Sequence, residues 1–246
     1  TAQNIVYDLL VNYAFVDPIF INKTDWDNEQ LGYLPRLYNT LITAPTGVNK
    51  LLTELTEQIG FFLFWDEVNS LIKFQTIRPN SLSETVYELN TNKHLLANSV
   101  KMCDIVDDRT NEVWVYYGII DSTKNLTEDS NYSNLYIASN VDDQSQVQNR
   151  DVRIKKIQSR WILDRAAAIE LGSRYLERFA KAPIEADFAL DAKDANIGLA
   201  DFVQIDSPQY QDFTGSPLAI LLQVVKRVEK QTGTTWAFTA RQFAFG

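Results

Sequence analysis

Val48, Leu51, Leu52, Leu55 and Ile59 recur at helical spacing, so the segment that opens at Val48 carries one stripe that must be buried. Gly60 follows, a residue free to take the left-handed conformation that ends a helix. Two β-prone runs, 61–65 and 71–77, flank the polar turn 66–70, and Pro79 closes the unit. A striped helix and a hairpin with an apolar face bury each other, so 48–79 is predicted to be a structural nucleus. Upstream, Ile5, Val6, Leu9, Leu10, Tyr13 and Ala14 predict a second short amphipathic helix with Thr1 near its start, broken at Asp17 and Pro18. Leu31, Leu34, Leu37, Tyr38 and Leu41 also keep helical spacing, but Pro35 limits that segment to a short or interrupted helix.

Beyond a polar loop at 80–84 the texture changes, and a domain boundary is expected near Asn90. Strands are predicted over 94–105 and 112–120, separated by a charged turn at 107–111. Residues 121–149 are dominated by Asn, Asp, Ser, Thr and Gln, which predicts a long loop or extended arm. A strand over 154–163 is followed by a helix from Arg165 to about Lys181, with Asp164 placed to cap it and Ala168, Leu171, Tyr175, Leu176 and Phe179 on one side. Pro183 ends that helix. Strands are then expected at 185–190 and 201–205, with Gly198 between them. A hairpin of 220–230 and 235–245 turns through Gly233. In its second strand Trp236 and Phe238 alternate with Thr239 and Arg241, which implies one dry and one wet face.

The net charge of −9 is uneven: residues 1–90 carry 5 basic and 11 acidic groups, 91–150 carry 5 and 9, and 151–246 carry 13 and 12. Phosphate affinity comes mainly from clustered Lys and Arg, so a dedicated nucleic-acid binder is disfavoured. No run is long and apolar enough to predict a membrane span. The chain opens on Thr1 rather than Met, as expected of a processed product or, more simply, of a piece of a longer polypeptide. One cysteine excludes an intrachain disulfide, and Cys103 is expected to be a small buried hydrophobe.

Candidate chemistry is sparse. The lone His94 sits outside any hydrolase, zinc-protease or phosphate-loop pattern. Asp25, Asp27 and Glu29 alternate like the first ligands of a calcium loop, but Gln30 stands where that loop needs glycine. The acidic pairs Asp107–Asp108, Asp142–Asp143 and Asp191/Asp194 fall in predicted turns, where Asp bonds the backbone. Trp65, Trp114, Trp161 and Trp236 fall in predicted strands and are expected in cores; Trp26 is placed in a loop as an exposed contact residue. The sequons at Asn22, Asn125 and Asn131 matter only on a secretory route. No catalytic, cofactor-binding or metal-ligating residue is therefore assigned, and no cofactor is expected.

Several segments together carry a resemblance: LLTELTEQIGFFLFWDEVNSLIKFQTIRP over 51–79, EVWVYYG over 112–118, SRWI over 159–162, ALDAKDANIGLADFVQI over 189–205, and the terminal hairpin. In this order they resemble the central hub proteins of bacteriophage tail tips, the tip attachment (protein J-like) proteins of long-tailed phages and the related baseplate hubs of contractile tails. The resemblance implies an α+β, mainly β fold. It divides the chain into a small helix–hairpin domain over 1–90 and a β-barrel-like tube domain over 91–246, with the polar insertion 121–149 and one packed helix at 164–181. It further implies a non-enzymatic structural role in the virion: a homotrimer around the tail axis that continues the DNA channel and connects the tube to the host-attachment apparatus. The distal tail and tape measure proteins would be its neighbours, DNA would pass through the lumen without specific binding, and synthesis would occur in the host cytoplasm. Such a ring could pair edge strands from 113–117 or 220–228 between copies. The competing expectation is a receptor- or carbohydrate-binding module of a virion that uses Trp26 and the tyrosines of 116–136.

Overall fold

The computed structural model describes the chain except residues 68, 79–83, 141–151, 181, 195, 208–209, 212–213, 217–219 and 243–246. Strand exceeds helix, 36% against 28%, and one sheet curls into a half-barrel, so the fold is α+β and mainly β. Two compact units are formed, each from separated stretches of chain: Thr1–Ile77 with Thr110–Lys181, and Arg78–Arg109 with Ala182–Gly246.

The first unit opens with helix α1 (Ala2–Asp8), which continues into a π-helical turn at Leu9–Tyr13. Asp17 accepts a hydrogen bond from the Ile19 amide and starts a 3-10 turn at Pro18–Phe20. Helix α2 (Lys23–Tyr33) is capped by the Asn22 side chain, which accepts from the Asp25 amide, and it stops before Pro35 as the proline requires. Helix α3 (Val48–Leu55) runs through a second π-helical turn, Thr56–Gly60, into the hairpin β1 (Phe61–Asp66) and β2 (Leu71–Thr76). Gly60 has φ of 82°, which lets the chain leave the helix and enter β1 directly. The predicted nucleus is present: Leu51, Leu55, Ile59, Phe61 and Phe74 share one core with Val6, Leu9, Trp26 and Trp161.

The same unit holds a three-stranded sheet ordered β6–β5–β7, made of β5 (Glu112–Ile119), β6 (Tyr132–Ser139) and β7 (Ile154–Gln158). Helix α4 (Arg165–Phe179) lies on one face, where Val113, Val115, Tyr117, Ala138 and Ile157 pack against Ala167 and Ala168. Asp164 stands at the α4 N-cap without a side-chain capping bond. At Gly172 the helix lies close against the sheet; a Cβ there would lie 3.0 Å from Tyr136 Cε1 and 3.2 Å from Ala138 Cβ.

Here the structure departs from the sequence reading. Residues 121–140 are not an arm: the buried Asn131 side chain ties the turn by donating to the carbonyls of Asp121 and Asn125 and accepting from the Asp121 amide, and β6 then pairs along β5. The rest of the expected insertion, 141–149, lies outside the described residues. The strand expected over 154–163 ends at Gln158, and Ser159, Trp161 and Ile162 continue as buried irregular chain. That chain is held by bonds from Asn39 N–H to the Trp161 carbonyl and from Gly118 N–H to the Ile162 carbonyl.

The second unit is built on the six-stranded sheet ordered β3–β9–β10–β11–β8–β4. Its strands are β3 (Val86–Asn90), β4 (Lys101–Asp104), β8 (Ile184–Asp191), β9 (Phe202–Asp206), β10 (Ile220–Gln231) and β11 (Thr235–Arg241). Strand β10 pairs β9 at its start and β11 for the rest of its length, with irregularities between Val224 and Lys226 and between Glu229 and Gln231. Bulges of this kind raise local twist, which suits a curled sheet. Phe188 and Phe238 stack with ring centroids 5.3 Å apart at the centre of a core that includes Leu190, Ile205, Leu222 and Val224. Gly233, with φ of 68°, makes the tight turn of the terminal hairpin, as its position in the sequence demands. Of the strand expected over 94–105, only Lys101–Asp104 forms; His94 lies in a turn.

Candidate functional site

The residues singled out for chemistry are dispersed and engaged in holding the fold. His94 Nδ1 accepts from the Asn90 amide at 3.1 Å. Cys103 is exposed on the edge strand β4, not buried as its neighbours suggested. Asp25, Asp27 and Glu29 project from a helix instead of converging from a loop. Asp27 pairs with Lys23 and accepts from Gln3, while Glu29 accepts from the Thr76 amide and hydroxyl. Among the described residues no group of three or more His, Cys, Asp or Glu side chains is placed to hold a metal ion. Asp108 pairs with Arg241, and the Asp191 carboxylate accepts from the Lys193 amide within a turn. Asp142 and Asp143 lie outside the described residues.

Trp26 is the clearest correction. It sits in α2, not a loop, is 1% exposed, and its indole N–H donates to the Ile72 carbonyl at 3.1 Å. Its ring packs on Phe74, so no surface contact can be made through it. Tyr116, Tyr117 and Tyr132 are buried as well, and Tyr136 is half-buried against the core under α4, so the tyrosines of 116–136 do not form the exposed platform expected for a sugar- or receptor-binding module. Of the four tryptophans assigned to strands and cores, Trp161 is buried but outside any strand, and Trp65 is half exposed in an edge-on contact with Phe20.

A cavity of about 720 Å³ opens in the first unit between α1 with its π-helical extension and the loop before α3. Ile5, Leu9, Val48, Leu51 and Trp161 give it apolar walls, and Thr40 adds a hydroxyl. Among the described residues the Trp161 indole N–H and the Thr40 hydroxyl find no hydrogen-bond partner. Of the ionisable side chains lining it, Tyr38 is held neutral: burial, reinforced by the Glu170 carboxylate, pushes its phenol up to about 12. Among the described residues its lining contains no histidine or cysteine.

The surfaces carry more information than the cavity. The segment 113–117 is not a sheet edge, since β5 is the central strand of its sheet, whereas β10 has β9 beside it only over Ile220–Gln223 and pairs with β11 alone from Lys226 onward. The edges are β6 and β7 in one sheet and β3 and β4 in the other. On the face of the three-stranded sheet away from α4, Trp114 lies opposite Ile137 and Lys156, and Tyr116 opposite Leu135 and Gln158. The Lys156 ammonium stands 5.4 Å from the Trp114 ring and 5.8 Å from the Tyr116 ring. It also pairs with Asp129 at 2.8 Å, and that bond, with a second from Gln158, holds the Asp129 carboxyl below the usual carboxylate range. No described helix is long and apolar enough to cross a membrane.

No family model and no curated protein matches the chain. Solved structures do. One is a chain of the virion of a native gene transfer agent particle: 16% identical, TM-score 0.53, aligned over 80% of this chain and 39% of that one. Another is the tail protein from Neisseria meningitidis MC58, 11% identical with a TM-score of 0.57, aligned over 100% of this chain and 68% of that one. The chain thus spans well under half of the first protein and about two thirds of the second. At these identities the likeness is one of fold.

Proposed function

We propose that this chain is a structural, non-enzymatic component of a phage or phage-like tail, and within it a hub subunit at the tail tip. The observation that carries the reading is the fold shared, over the whole chain, with a tail protein of 11% identity. A second fold match of comparable quality to a virion chain points the same way. In this reading three copies close a ring around the tail axis, since closed rings are how repeated subunits bury matching surfaces without leaving an open end. The curled six-stranded sheet forms the wall, and apart from β3 it lies within the segment 91–246. The distal tail and tape measure proteins adjoin it, and DNA passes through without being held, because the net charge of −9 opposes phosphate binding.

Cryo-electron microscopy of the assembled particle tests this. The expected result is threefold density at the tip, on the axis, into which this fold fits. Particles whose tip is complete after deletion of the chain, or a chain found as an off-axis monomer, would overturn it.

A further inference from the structure

Among the described residues no strand pairs with the outer side of β6, and we propose that it takes up an extended strand from a partner polypeptide, apolar at alternate positions on one face. The phase of the sheet is given by three bonds. Glu112 N–H donates to the Arg153 carbonyl and Ser159 N–H to the Tyr116 carbonyl, so the even-numbered residues of β5 bond toward β7. The odd ones, Val113, Val115 and Tyr117, therefore bond toward β6, to Ala138, Tyr136 and Asn134; the bond from Asn140 N–H to the Asn111 carbonyl keeps the same phase. By alternation Ser133, Leu135, Ile137 and Ser139 turn their N–H and C=O groups outward. Among the described residues no strand receives them.

Free edges are ordinarily protected by charge, proline or a bulge. Strand β7, the other edge of this sheet, carries Lys155 and Lys156. Strand β6, with sequence YSNLYIAS, has no ionisable group but its two tyrosines and no proline. Its outward-bonding residues Leu135 and Ile137 are 43% and 46% exposed, on the face they share with Trp114. The area decides the kind of occupant. The apolar surface here is on the order of a few hundred Å², a patch size common on single proteins, whereas a stable interface between folded surfaces needs about 800 Å² per partner. Main-chain bonding along a seven-residue edge, about 23 Å long, makes up that deficit for a strand but not for a folded surface. The inference is independent of the hub reading, which concerns where the protein sits and not what this edge holds.

The test uses the intact 246-residue protein and a capped nonapeptide alternating Thr and Val with Lys at both ends. Residue-resolved amide exchange by NMR is the readout. With peptide, the Leu135, Ile137 and Ser139 amides should slow at least about tenfold, while Tyr136 and Ala138, already bonded to β5, stay unchanged. Ile137→Lys should abolish the effect and Ile137→Thr should keep part of it, with unchanged exchange in β5 showing that both variants are folded. Three results overturn the proposal: no protection; equal protection from a peptide whose valines are N-methylated; or protection that appears without peptide and grows with protein concentration, which would make a second copy the occupant.

Discussion

Replacing Trp26 with Ala tests the packing argument at its most exposed point. Read from sequence the residue belongs to a surface loop, where substitutions stay within about 0.5 kcal/mol. In the structure it is 1% exposed, its ring centroid is 5.6 Å from that of Phe74, and its N–H satisfies the Ile72 carbonyl. Truncating a buried aromatic to Ala costs about 3–5 kcal/mol, because the transfer energy is lost and the space only partly collapses. Trp26→Phe retains most of the apolar volume but strips the Ile72 carbonyl of its donor, a loss of about 1–3 kcal/mol. Against a domain stability of about 5–15 kcal/mol, the Ala variant should lose a large fraction of the total. Because the chain forms two compact units, a single transition need not describe both. Urea titration by far-UV circular dichroism should therefore be paired with amide exchange at residues 61–76. The expected order is wild type, then Phe, then Ala, with exchange accelerated first in β1 and β2. A loss below about 0.5 kcal/mol for Trp26→Ala would refute the burial assignment and, with it, the core built around α2.

Other expectations follow from the same geometry. Gly172→Val should destabilise by about 1–3 kcal/mol in a thermal melt, since the new carbons enter the space of Tyr136 and Ala138; a gain in stability would mean that helix propensity outweighs the close approach. Phe238→Ala should cost about 3–5 kcal/mol, read as faster exchange in β8, β10 and β11, because it removes one of two stacked buried rings. Stability should fall as pH rises from 10 to 12. The Tyr38 and Tyr132 phenols ionise near 10 when unfolded but only near 12 when folded, so in that window the unfolded chain binds fewer protons. Urea midpoints at pH 8 and pH 11 should diverge less in Tyr38→Phe than in wild type; an unchanged divergence would remove Tyr38 as a contributor.

Much of the first unit was legible in the sequence because its contacts are local. The stripe from Val48 to Ile59, the stop at Gly60 and the two runs that follow are neighbours along the chain, and they bury one another within about thirty residues. The turn at Gly233 was equally readable, since φ preference acts on the residue itself; the helical spacing from Leu31 to Leu41 misled, because α2 ends at Tyr33 and Leu31, Leu37 and Leu41 are exposed. Trp26 was misread because three acidic residues surround it and mask a helix whose buried face is narrow. Cys103 was misread because an apolar neighbourhood in sequence says nothing about whether a strand ends up at an edge. The polar run containing β6 looked like an arm because only alternate residues of a strand covered on one face need be apolar, and here Asn and Ser fill several of the others.

By itself, then, the chain's sequence determined where helices stop, where hairpins turn and that strands would dominate; each depends on the conformational preference of a residue or on the period of a short segment. Strand order was decided only in three dimensions. That β5 is interior while β6 is an edge among the described residues, and that each compact unit is assembled from two distant stretches, depends on pairings between residues far apart in the chain. Such pairings are selected by the burial they achieve together, a quantity no local pattern encodes.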